Sequence, residues 1–173
     1  PAQIIPQLKE ILARPNPVLG YVNGELRFWL GWAQEVAGDE ASAQETWRLA
    51  RSELESFLKQ QPENSTLIGD LALTNMELGD KAAALALIDR AMAVNPIEKD
   101  ALGGPFPIEI LARLSARMGE PDRAIAALQK LLSIQYRSPG FCPLTPALLR
   151  LDPMFDPLRN DPRFQKLAET ASK

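Results

Sequence analysis

Side chains able to do chemistry at neutral pH are scarce in this sequence, and the gaps among them constrain its function first. Histidine is absent from the 173 residues. That removes Ser-His and Cys-His nucleophile pairs, HExxH zinc sites and the one side chain that titrates near neutrality by default. Cys142 is the single cysteine, so neither an internal disulfide nor a multi-cysteine metal site can form. Gly103-Gly104 is followed by Pro105 instead of a lysine-bearing helix start, and so is not a phosphate-cradling loop. Paired acids such as Glu53 and Glu55 fall on different faces of a helix, the wrong geometry for shared acid-base work. The expectation is a protein that is not an enzyme, with no catalytic residue, no metal ligand and no cofactor.

What the chain does supply is enough apolar material for one domain. Its composition is 46% hydrophobic and 24% charged, that of a globular protein and not a disordered one. A formal net charge of -3 gives no general electrostatic reason to bind nucleic acid or an anionic membrane. No apolar run reaches the roughly 20 residues that span a bilayer, and PAQIIPQLKE lacks the form of a signal peptide. A soluble chain is expected, cytoplasmic or periplasmic, since one cysteine cannot separate the two.

A repeat organises the sequence. Gly38-Asp39, Gly79-Asp80 and Gly119-Glu120 stand 41 and 40 residues apart. Five residues after each glycine comes an alanine (Ala43, Ala84, Ala124), then a large apolar residue (Trp47, Ile88, Leu128), then Ala50, Ala91 and Leu131. Before the glycines stand Leu30-Gly31, Leu71-Ala72 and Leu111-Ala112. The spacing predicts two antiparallel helices per repeat. Small residues let the backbones approach and large ones fill the space beside them, with glycine ending the first helix in the left-handed conformation. Asp or Glu then favours the N-terminus of the second. A lone hairpin of this kind cannot bury its apolar faces, so neighbours must stack.

The segment Leu30 to Ala50, L-G-x-x-x-x-x-x-G-D-x-x-x-A-x-x-x-W-x-x-A, resembles the tetratricopeptide repeat signature, and Pro96 stands where that family ends its second helix. The family's usual first-helix tyrosine is replaced by Gln34, Asn75 and Ser115. The resemblance implies an all-α fold: a right-handed α-solenoid of antiparallel helix hairpins with a C-terminal helical cap. It implies one domain over 1–173, with a partial repeat at 1–20, repeats at 24–62, 65–97 and 105–136, and capping helices at 145–173. The first repeat reaches its closing proline, Pro62, seven residues late, so helix 40–61 should run about 33 Å and project beyond its neighbours.

Both ends carry further expectations. Pro1, Ile4, Leu8, Ile11 and Leu12 align on Pro121, Ala124, Leu128, Leu131 and Leu132, which predicts a helix over 1–14 that is the second half of a repeat, in a piece of a longer protein. Thr145-Pro146, Asp152-Pro153 and Asp161-Pro162 each set a capping residue before a proline and predict three short helices. Phe155, Leu158, Phe164 and Leu167 would cover the apolar end of the last repeat. The stretch Leu149 to Leu167 also resembles a closing segment found after degenerate tetratricopeptide repeats in multidomain bacterial signalling proteins.

In such arrays the first helices line the concave face, and the resemblance therefore implies partner contacts at outward positions of residues 24–37, 65–78 and 105–118. These are Phe28, Trp32 and Glu35, then Leu73 and Met76, then Glu109, Arg113 and Arg117. Phe28, Trp29 and Trp32 are spaced so that at least one must face the core. Arg113 and Arg117, at i and i+4, could grip a carboxylate, pair with Glu109 or be solvated. The implied ligand is a protein or peptide with an acidic end; a chaperone C-terminus is disfavoured, because Phe28, Trp32, Gly69 and Leu73 occupy the places of the family's lysines and asparagines. The alternative is self-association or a structural spacer, using the edge of helix 1–14 and the end of helix 40–61.

Overall fold

The computed structural model describes residues 3–14, 20–134, 136 and 143–169. Cys142 and Pro1 lie outside them. The regular elements among the described residues are all helices, without a strand: α1 (Ile4–Leu12), α2 (Gly20–Val36), α3 (Glu40–Gln60), α4 (Ser65–Glu77), α5 (Lys81–Val94), α6 (Pro105–Met118), α7 (Pro121–Leu132), α8 (Pro146–Leu151), a 3₁₀ helix (Pro153–Leu158) and α9 (Pro162–Glu169). Two compact units divide the chain, residues 1–91 and 92–173.

The three glycine turns have one construction. Gly38, Gly79 and Gly119 take φ of 86°, 86° and 76°, which costs glycine nothing and any other residue a strained backbone. One residue on, the N–H groups of Asp39, Asp80 and Glu120 each donate five residues back, to the carbonyls of Gln34, Asn75 and Ser115, all at 2.9 Å. This is the Schellman closure of a helix C-terminus, and it satisfies carbonyls that would otherwise be orphaned. Gln34, Asn75 and Ser115 are thus the residues whose carbonyls close the turns. The next helix starts at once: Asp39 and Asp80 accept from the Ser42 and Ala83 N–H groups at 3.1 and 3.0 Å. Glu120 makes no such side-chain cap. Ala43, Ala84 and Ala124, one turn further, are fully buried.

In the first unit, α2 packs along α3 through a row of glycines. A Cβ on Gly31 would lie 2.4 Å from Trp47 Nε1, one on Gly24 2.7 Å from Leu54, and one on Gly20 2.6 Å from the Phe57 ring. Gly20, Gly24 and Gly31 recur at helical spacing and meet Phe57, Leu54 and Trp47 in antiparallel order, so the large side chains of α3 rest on bare backbone of α2. The Trp47 indole N–H also donates to the Phe28 carbonyl at 3.1 Å. This packing corrects the expected projection of α3. The helix is long, at 21 residues, but α2 begins at Gly20 instead of residue 24 and matches most of the extension. Leu54, Leu67 and Leu71 form a core joined by Phe57, Leu58 and Leu87. Helix α1 rests on α2 through Leu8, Leu12 and Leu30. Only half of its apolar stripe is covered: Ile4 and Ile11 are 47% and 53% exposed, whereas Ala124 and Leu131, their counterparts in α7, are at most 1% exposed.

In the second unit the C-terminal segments share one core with α6 and α7. Phe155, Leu158 and Phe164 are buried against Ala112, Ala116, Ala124 and Leu128, with Leu167 partly buried beside them. The three X-Pro starts behave as the sequence predicts. Thr145 accepts from the Leu148 N–H at 3.2 Å, Asp152 from Met154 at 3.0 Å and Asp161 from Arg163 at 2.8 Å. The middle segment is a 3₁₀ helix, with Pro157 inside it.

Gly31→Ala tests the glycine row. The added methyl must push the Trp47 indole aside, and overpacking of this kind costs about 1–3 kcal/mol, more than the roughly 1 kcal/mol alanine recovers in helix propensity. The variant should unfold at a lower urea midpoint and with an altered near-ultraviolet tryptophan signal.

Candidate functional site

Eight residues were expected at outward positions, and the structure buries six of them. Phe28 is 1% exposed and Trp32 9%; Leu73 and Glu109 are fully buried, and Met76 and Arg113 nearly so. Only Glu35 and Arg117 are partly exposed. For Phe28 the cause is local: its ring stands edge-on to Trp29 with centroids 5.0 Å apart, and its carbonyl is held by Trp47.

Glu109 and Arg113 are buried by a polar network that fixes the C-terminal segments to α6. The Arg113 guanidinium donates to Glu109 Oε1 through Nη2 at 2.9 Å and Nε at 3.3 Å, and to Asp152 Oδ2 through Nη1 at 2.5 Å. It also lies 5.4 Å from the centre of the Phe155 ring. The Tyr136 hydroxyl donates to Glu109 Oε2 at 2.9 Å and accepts from the Leu144 N–H at 3.0 Å. Burial and the Glu109 charge push the Tyr136 phenol well above its usual pKa, so it stays a donor. The carboxylate that Arg113 grips is therefore the chain's own, and the helix-spaced Glu109 is a second. The sequence had shown Asp152 as a cap but gave no sign that its other oxygen faces Arg113, because 39 residues separate the two.

A smaller network ties α9 to α7 at the surface. Arg163 bonds Asp122 at 2.6 Å and Asp161 at 2.7 Å, and the Arg163 side chain holds the Asp161 carboxyl down to about 2. Exposed pairs of this kind contribute little to stability. Gly103-Gly104 has an architectural use as well: a Cβ on Gly104 would lie 2.6 Å from the Asp100 carbonyl oxygen and the Ile97 Cα. Asp100 Oδ1 accepts from the Leu102 and Gly103 N–H groups at 3.0 and 2.9 Å.

One pair of ionisable groups is not used this way. In the first unit, Asp70 of α4 is 2% exposed and its Oδ2 has no hydrogen-bond partner. Burial chiefly, and then the nearby Glu25 carboxylate of α2, raise the Asp70 pKa well above the usual carboxylate range. Glu25 is itself raised by burial, offset in part by a hydrogen bond from Trp29. Sequence reasoning missed this pair. The available signal was Asp70 inside the apolar run Leu67-Ile68-Gly69-Asp70-Leu71-Ala72-Leu73, a charge with no place on a solvated face.

In the second unit, an open depression of about 610 Å³ is lined by Leu131, Leu132, Ile134, Tyr136, Leu144 and Leu167 among others, with no carboxylate, lysine or arginine among the described residues of its wall. Among the described residues no group of three His, Cys, Asp or Glu could hold a metal ion, and no helix is long and apolar enough to cross a membrane. Compared with known proteins, the chain matches no family model, no curated protein and no solved structure.

Two outcomes follow. Arg113→Met leaves Glu109 buried without its cation, and removing one partner of a buried pair costs about 3–5 kcal/mol. Denaturation should show that loss, and limited proteolysis should cut the C-terminal segments first. For Asp70 the folded-state pKa lies above the unfolded value of about 4, so its stability contribution is complete below that pH and is lost as pH rises through the folded value. Asp70→Asn should therefore match the parent chain in acid and exceed it in stability at neutral pH, with the gap in urea midpoints widening between.

Proposed function

We propose that this chain is a non-catalytic interaction module, a tetratricopeptide-type array of helix hairpins forming a right-handed α-solenoid with a helical cap, which binds a protein or peptide partner. The observation that carries the reading is the threefold recurrence of one hairpin turn. Gly38, Gly79 and Gly119 share the positive φ and the same five-residue closing bond, and a buried alanine follows each at the same distance. Stacked hairpins offer neighbouring first helices as a surface for another chain. Glu35 and Arg117, the two partly exposed members of the expected set, are the proposed points of contact. The six buried members support those helices from beneath.

The use of the ionic groups is consistent with this role. Arg113, Glu109 and Asp152 are engaged with one another, and the described residues around Tyr136 and Leu144 form a largely apolar wall. Both arrangements hold structure or apolar surface; neither sets an acid against a base.

A photo-crosslinking amino acid placed at Glu35 or Arg117 tests the reading against the same residue at Glu45 or Ala126, which are exposed on second helices. The expected result in the source cell is a defined protein adduct from the first two positions and none from the second two. Adducts confined to Glu45 and Ala126, or none from any position, would overturn it. Self-association is a second reading, favoured by the exposed Ile4 and Ile11 of α1. It predicts a concentration-dependent dimer in sedimentation velocity that Ile4→Ser/Ile11→Ser abolishes; monomer alone at the highest attainable concentration removes it.

A further inference from the structure

The second unit carries a small open depression whose wall joins apolar side chains to two cations. It holds about 270 Å³ and lies between Met92 of α5, Ile108 and Leu111 of α6, and Ala127 of α7. Arg123 and Lys130 of α7 flank it, and neither aspartate nor glutamate stands in its wall among the described residues. Met92 and Leu111 are only partly buried, so part of the floor is apolar surface in contact with water.

Elsewhere the chain answers its arginines with acids held close. Arg27 meets Glu53 at 2.9 Å, Arg159 meets Asp156 at 2.6 Å, and Arg163 lies between Asp122 and Asp161. The pairing of Arg123 with Glu120 is looser, at 3.7 Å between side chains that are 38% and 42% exposed. Such a pair contributes little and opens at little cost. Arg123 and Lys130 stand two helical turns apart, about 10.5 Å along α7, with the apolar floor between them.

A ligand for this wall needs one negative group and an apolar body. The anion is attracted by both cations, and the body removes apolar surface from water. A second depression, about 120 Å³, adjoins the first through Met92, Ile108 and Lys130; Pro96 and Ile97 extend its floor, and Glu98 is in its wall. That acid disfavours a negative group at its end, so the head belongs beside Arg123 and the tail runs past the apolar stem of Lys130. The size points to a small molecule, since ligand sites begin at roughly 300 Å³.

We propose that this depression binds a medium-chain carboxylate, with its head between Arg123 and Lys130 and its tail over Met92, Ile108 and Leu111. The site stands apart from the interaction reading and rests on its own geometry.

The test is a titration of the chain labelled with ¹³C at its methionine methyls, using octanoate below its micelle concentration. The Met92 methyl resonance, assigned with Met92→Leu, reports occupancy, and Met154, fully buried in the C-terminal core, is the reference. Acetate supplies the head without the tail, and 1-octanol the tail without the charge. A saturable Met92 shift with octanoate is expected, absent with acetate and at least tenfold weaker with 1-octanol. Arg123→Gln/Lys130→Gln, changed only at the surface, should weaken it about tenfold, which corresponds to about 1.4 kcal/mol of binding. No saturable shift, an equal response to 1-octanol, an unchanged response in the double variant, or an equal shift at Met154 would overturn the inference. A protein adduct at Ala126, which also lines the depression, would overturn it too, by showing that another chain covers the floor. Failure with octanoate alone leaves the crosslinks expected at Glu35 and Arg117 untouched.

Discussion

How closely two helix backbones can approach is the constraint on which the first unit depends. Trp47 is one of the largest side chains in the protein, yet it is 2% exposed inside a helix pair. That is achievable because Gly31 presents no side chain to it, leaving the indole against the α2 backbone and its N–H within reach of the Phe28 carbonyl. Gly24 with Leu54 and Gly20 with Phe57 repeat the arrangement along the pair. Register and distance are fixed together: sliding α3 by one residue would set each large side chain against a neighbour that has a Cβ of its own.

The second unit solves a different problem, that of attaching short C-terminal helices too small to be stable alone. Segments of six and eight residues have little intrinsic helicity, so tertiary contacts must hold them. Phe155 and Phe164 provide apolar contact, and Arg113 adds direction, since a guanidinium between two carboxylates accepts only one placement of Asp152. A buried ion pair of this kind gains little over an apolar core, but once built it makes the loss of any one partner expensive. The C-terminal segments are thereby specified as well as covered.

Arg113 and Asp70 illustrate how burial gives similar residues opposite meanings. Both are charged residues on first helices, and both are at most 4% exposed. Arg113 has its counter-charges within the chain, so its burial is structural. Asp70 keeps an oxygen unbonded, and its burial, with a smaller contribution from Glu25, raises its pKa instead of pairing its charge.

The helices and their limits were legible in the sequence wherever local physics sets them. Glycine at a left-handed C-terminus, Asp or Thr before a first-turn proline, and apolar spacing near 3.6 residues act over a few positions, and α3 through α9 begin and end close to where those signals place them. Which face of a helix remains open was not legible. Phe28, Leu73, Glu109 and Arg113 were placed outward by the family resemblance, and a single helix cannot report what a third element lays over it. The Arg113–Asp152 bond spans 39 residues, and Asp70 is buried only through the packing of α4 within the first unit. The sequence alone determined the repeat, the turns and the absence of histidine chemistry. Tertiary structure decided which charges are paired and which surface is left, because burial and ionic pairing belong to contacts between elements and leave no periodic trace along the chain.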